Sequence, residues 1–173
     1  TKLLFSRRNR IMTINTDGTG ETLLAQPGYL PKWSPDGTRV AYITDGYLIL
    51  LEADGAKERL TGKLPSLTDL LWTRDGKYLV FLGMTSGSGY NPKYDLFAVE
   101  VASGEVIQLT KTQDVHRYSL APDGSLVAVG LGYSPFDREV CNRIVLMRWD
   151  GSVVQEWENI ECYARLGPWR PSP

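Results

Sequence analysis

Leu30-Pro31-Lys32-Trp33-Ser34-Pro35-Asp36-Gly37-Thr38-Arg39-Val40-Ala41-Tyr42-Ile43 is the stretch that decides the fold of this chain. Pro35 fixes φ at the first corner of a tight turn, the Asp36 side chain can bond backbone amides just beyond it, and Gly37 takes positive φ without strain. Trp33, before the turn, has the bulk to fill a wedge between neighbouring sheets. The stretch returns in altered form as Trp72-Thr73-Arg74-Asp75-Gly76, Leu120-Ala121-Pro122-Asp123-Gly124 and Trp169-Arg170-Pro171-Ser172-Pro173. The successive spacings are 39, 48 and 49 residues.

Around these turns the pattern is one of strands. Short apolar or alternating runs, sixteen from Leu3–Ser6 to Ala164–Trp169, are bounded by Gly, Pro, Asp and Asn, and no dozen residues carry an uninterrupted helical stripe. Asp45-Gly46, Asp54-Gly55, Asp150-Gly151 and Ser103-Gly104 are read as two-residue hairpin turns. Four short strands recurring about every 40 residues form the blade of a β-propeller. The expected fold is all-β: four four-stranded antiparallel blades, either a closed ring or part of a larger propeller. A single such meander cannot bury both of its faces, so the units must stack.

The single domain 1–173 divides into repeats at about 1–29 (completed by 164–173), 30–66, 67–115 and 116–163. The extra length of the last two units lies in Thr85–Lys93 and Tyr133–Asn142. Thr1–Ser6 aligns with Thr38–Ile43, so the repeats are circularly permuted. A strand near the C-terminus is expected to complete the first blade; otherwise further blades, or a second copy, complete the ring.

Composition narrows the function. The chain has 42% apolar and 23% charged residues and a net charge of −1. It lacks the cationic surplus that phosphate backbones demand, so nucleic acid is not an expected partner. No apolar run reaches the ~18 residues of a membrane span. The chain begins at Thr1, which is compatible with a removed leader.

The segment Leu30–Thr61 resembles the TolB-type, WD-like propeller repeat. The shared pattern is an apolar-Pro-x-Trp-Ser-Pro-Asp-Gly turn (Leu30 to Gly37), a strand (Val40–Ile43), a second strand ending in Asp-Gly (Leu48–Ala53, then Asp54-Gly55) and a closing Leu60-Thr61. Asp17-Gly18 and Leu109-Thr110 repeat its parts elsewhere. Arg74 departs from the turn proline, Leu120 from the tryptophan, and Ser172-Pro173 from Asp-Gly. The resemblance implies either a bacterial periplasmic or extracellular scaffold binding a protein or envelope partner, or a propeller that gates substrate for a peptidase domain.

Residue chemistry offers no catalytic centre. His116 is the one histidine, and Thr85-Ser86-Gly87-Ser88-Gly89 lacks the spacing of a nucleophile elbow. Asp17, Asp36, Asp54, Asp75, Asp123 and Asp150 are accounted for by turns, so no cofactor, metal or acid–base pair is called for. A third reading, a carbohydrate-binding or polysaccharide-cleaving propeller, has no cluster of carboxylates or aromatics to support it.

Topology then sorts the loops. Turns between strands one and two, and between three and four, share one rim; these are the Asp-Gly turns. The opposite rim collects the long or unusual segments: Arg7–Arg10, Ser86–Lys93, Lys111–Arg117, Ser134–Asn142 and Asn159–Arg165. Long loops on a rigid scaffold usually carry function. The expected partner-binding residues are therefore Tyr90, Asn91, Lys93, His116, Arg117, Tyr133, Phe136, Arg138 and Tyr163. The same sorting puts Cys141 and Cys162 on that rim of one unit. Closing the loop between them would stabilise by about 3 kcal/mol on the chain-entropy estimate. A disulfide, and hence export, is expected.

Overall fold

The computed structural model describes residues 1–52, 54–64, 66–87, 92–132, 141–162 and 169. They form β1 (Lys2–Arg7), β2 (Arg10–Asn15), β3 (Thr22–Ala25), β4 (Tyr29–Trp33), β5 (Val40–Thr44), β6 (Tyr47–Leu51), β7 (Lys57–Arg59) and β8 (Leu67–Trp72). The series continues with β9 (Tyr78–Ser86), β10 (Lys93–Glu100), β11 (Val106–Gln108), β12 (Val115–Leu120), β13 (Val127–Leu131), β14 (Cys141–Met147) and β15 (Val153–Cys162). Neighbours in sequence pair antiparallel, giving one sheet of three strands, β1–β3, and three of four: β4–β7, β8–β11 and β12–β15. The chain is an all-β propeller. Of the expected strand Ala164–Trp169, all but Trp169 lies outside the described residues.

Strand alternation explains how the sheets stack. Val40 and Tyr42 join Ile11 and Ala25 in a cluster between the first and second sheets, while Ala41 and Ile43 turn the other way to meet Leu70, Leu79 and Phe81 of the third. Val80 and Leu82, the alternate residues of β9, pack against Val127, Val129 and Val145 of the fourth. Middle strands such as β5 and β9 read as unbroken apolar runs because both of their faces are covered. Burying one such side chain contributes roughly 1.5–3 kcal/mol, so the stack of blades holds the fold.

Trp33 and Trp72 are wedges at blade boundaries rather than fully buried core, each half-buried, and Trp169 is half-buried too. Trp72 donates its indole N–H to the Lys32 carbonyl of the preceding blade at 3.3 Å, and the Arg39 guanidinium lies over its ring. One blade on, the Tyr118 hydroxyl donates to the Val80 carbonyl at 2.9 Å and to that of Asp69. Burial, and secondarily Asp69, push that hydroxyl well above the usual tyrosine value, so it stays a donor.

The turns follow one design. In each of the six Asp turns the carboxyl oxygen accepts the amide of the residue two positions on: Thr19, Thr38, Ala56, Lys77, Ser125 and Ser152. Of the expected two-residue hairpins, Asp45-Gly46 is one: Thr44 pairs with Tyr47, and both turn residues take positive φ. The turns at Asp54-Gly55 and Asp150-Gly151 are three residues long, closed by Glu52 N to Ala56 O and Arg148 N to Ser152 O. The last residue of each, Gly55 or Gly151, takes positive φ, the form of a type I turn with a bulge. Ser103-Gly104 ends a four-residue turn between Glu100 and Glu105.

Candidate functional site

Antiparallel order puts the six turns at Asp17, Asp36, Asp54, Asp75, Asp123 and Asp150 on one rim; the remaining connections, the Asp45-Gly46 hairpin among them, lie on the other. On that second rim Arg7–Arg10 is not a long loop. Arg7 pairs with Arg10, and Arg8 and Asn9 take positive φ (51° and 60°), a tight two-residue hairpin. The substantial structure lies where the third and fourth sheets meet.

Asp95, the third residue of β10, organises it. Its side chain is 1% exposed. One carboxyl oxygen accepts the Thr110 hydroxyl at 2.9 Å and the amides of Thr112 and Gln113 at 3.0 Å each; the other accepts the Thr85 hydroxyl at 3.0 Å. The Thr110 hydroxyl oxygen in turn accepts the Leu96 amide, as that of Thr61 accepts the Leu48 amide in the preceding blade. In these two units the closing Leu-Thr pair therefore caps the third strand. Ser86 donates to the Gln113 side chain at 3.0 Å. Asp95 thus clamps the 109–114 connector onto the ends of β9 and β10, so this part of the rim is held rigid.

Lys93 opens β10, exposed and paired in register with Ser86. His116 falls inside β12 rather than ahead of it. Val115 pairs with Leu131 and Arg117 with Gly130, so His116 is the extra residue of a β-bulge, displaced from the ladder. The other innermost strands bulge as well, β4 between Tyr29 and Lys32 and β8 between Thr68 and Leu71, with Leu30 and Asp69 at positive φ. His116 is half-buried. Burial lowers its pKa below the usual histidine value, Asp114 opposes that shift and Arg117 adds to it, so the ring is neutral near pH 7. Arg117 is exposed.

Lys93 thus stands two residues before Asp95 at the start of β10, and His116 and Arg117 lie in β12 just past the clamped connector. Tyr90, Asn91, Tyr133, Phe136, Arg138 and Tyr163 lie outside the described residues. Cys141 and Cys162 open β14 and close β15 as register partners. Sequence reasoning missed Asp95, Thr85, Gln113 and Asp114. One signal was available: Asp95 is an acidic residue beside the apolar stretch Leu96–Val99, upstream of a Leu-Thr pair. Among the described residues, no group of three or more His, Cys, Asp or Glu side chains is placed to hold a metal ion.

No family model matches the sequence. Over 82 residues the chain is 30% identical to dipeptidyl-peptidase 5 of Porphyromonas endodontalis, a match covering 43% of this chain and 12% of that one. Among solved structures it resembles an oligogalacturonate lyase in complex with manganese (TM-score 0.66, 17% identity, 86% of this chain and 45% of that one). It also resembles a putative TolB from Agrobacterium tumefaciens (TM-score 0.60, 22% identity, 86% and 57%) and the acylaminoacyl peptidase of Pyrococcus horikoshii (TM-score 0.66, 14% identity, 92% and 32%). The chain spans between 12% and 57% of the length of these proteins. At such identities the likeness establishes the fold alone, a β-propeller.

Proposed function

We propose that this chain is a non-enzymatic scaffold of the TolB-like kind, which engages a protein partner through its loop-rich rim. The observation that carries the reading is the Asp95 clamp. A buried carboxyl group receiving four close hydrogen bonds fixes a connector, and exposed Lys93 and Arg117 flank it. Rigid presentation lowers the entropy cost of binding. Arg is among the residue types enriched at interface hot spots. The partner is a folded protein surface, and the resemblance favours a site outside the cytoplasm.

A second reading has its own support. The match to dipeptidyl-peptidase 5 and the likeness to an acylaminoacyl peptidase favour a propeller that positions substrate for a hydrolase domain. In that case the same rim would meet short peptides rather than a folded partner.

A display library of random peptides and small folded domains, panned on the immobilised chain, tests the proposal. Selected ligands should bind about tenfold more weakly to Lys93→Ala or Arg117→Ala and unchanged to Lys57→Ala on the Asp-Gly rim. Enrichment of short peptides alone would favour the second reading. Ligands sensitive only to the Asp-Gly rim would overturn both.

A further inference from the structure

We propose that Cys141 and Cys162 form an intramolecular disulfide that fixes the register of the outermost hairpin of the fourth blade. They are the chain's only cysteines, and the β14–β15 ladder sets them directly opposite each other. Directly opposed residues of antiparallel strands have Cα atoms about 4.5–5.5 Å apart. That falls within the roughly 4.4–6.8 Å a disulfide spans.

The hairpin has an unusual need for such a link. Its outer strand, β15, is 10 residues long, whereas the outer strands β3, β7 and β11 have 4, 3 and 3. Every residue from Val153 to Glu158 is exposed, Val153 and Trp157 at 53% and 44%. Register is strongly set where one face of a strand is buried, and weakly otherwise. The ladder is also interrupted twice, between Leu146 and Met147 and between Arg143 and Cys141. Across the second interruption the pairing advances from Arg143–Glu158 to Cys141–Cys162, two residues on one strand against four on the other. Among the described residues the Arg143–Glu156 ion pair at 3.3 Å also ties the two strands, and it lies on the near side of that interruption. A covalent bond at the far end holds the register past the bulge.

Formation requires a disulfide donor, and a low-molecular-weight disulfide such as oxidised glutathione suffices. The thiolate of one cysteine attacks a donor sulfur and releases one donor thiolate. The second cysteine's thiolate then attacks the protein sulfur of the mixed disulfide and releases the other. The two protein thiols lose two electrons and two protons; the donor disulfide becomes two thiols.

The experiment equilibrates the whole chain with reduced and oxidised glutathione, natively and in denaturant, then alkylates it and reads intact mass. The expected species is monomeric, takes up no alkyl group before reduction and takes up two after it. The folded chain should favour the disulfide over the unfolded chain by about 30-fold, equivalent to about 2 kcal/mol of stabilisation. Two free thiols in oxidising buffer, glutathione on both cysteines, a disulfide-linked dimer, or a folded-to-unfolded ratio of one or less would each overturn the proposal.

Discussion

At the scale of single residues, the chain repeats one device, an aspartate that folds its carboxyl back onto the amide two residues ahead. Asp36 shows it most fully. The Ser34 hydroxyl donates to it at 2.5 Å, and so do the amide and hydroxyl of Thr38. These bonds, that of Ser34 foremost, hold its pKa at about 2. Asp17 and Asp123 are lowered by the amide and hydroxyl of Thr19 or Ser125, and Asp150 by the hydroxyl and amide of Ser152. A carboxyl depressed in the folded state stabilises the fold above its unfolded value of 3.8 and loses that effect as pH falls toward 2. Asp36→Asn should therefore have a lower urea midpoint than the parent near pH 6, and the difference should shrink near pH 2. A difference that grows in acid would contradict this account of the turn.

At the scale of elements, the legible and the hidden divide on physical grounds. Turns and strands could be read because their causes are local: Asp36-Gly37 bends whatever chain it sits in, and alternation marks the faces of β5 and β9. The Leu60-Thr61 and Leu109-Thr110 pairs could be seen as motifs, but their cause could not. Each threonine caps a strand 13 or 14 residues upstream. The same holds for the bulge at His116, which depends on the register of β12 against β13. Asp95 reads as an oddity in the sequence, and only the fold shows that it ties a connector to two strands. Asp95→Ala leaves buried donors without an acceptor and should cost about 3 kcal/mol in denaturant unfolding. Amide exchange should rise first at Thr112 and Gln113. Unchanged stability with exchange rising elsewhere would show that the clamp is not what holds this rim.

At the scale of the molecule, stacking joins the sheets through three apolar clusters: first to second, second to third and third to fourth. Among the described residues no cluster joins the fourth blade to the first, and both carry exposed apolar side chains: Leu3 and Leu23 on the first, Val153, Val154 and Trp157 on the fourth. The blades present one rim of self-satisfied Asp turns and one rim of connections held by buried polar contacts. The first rim spends its polar groups on its own backbone; the second leaves Lys93 and Arg117 free for solvent or a partner.

Hydrogen-exchange footprinting of the chain with a selected ligand bound tests that division most directly. Protection is expected at residues 84–87 and 92–94 and along 111–117, with the turns at 34–38, 54–56 and 73–77 unchanged. Protection confined to the Asp-Gly turns, with the second rim exchanging as in the free chain, would contradict it.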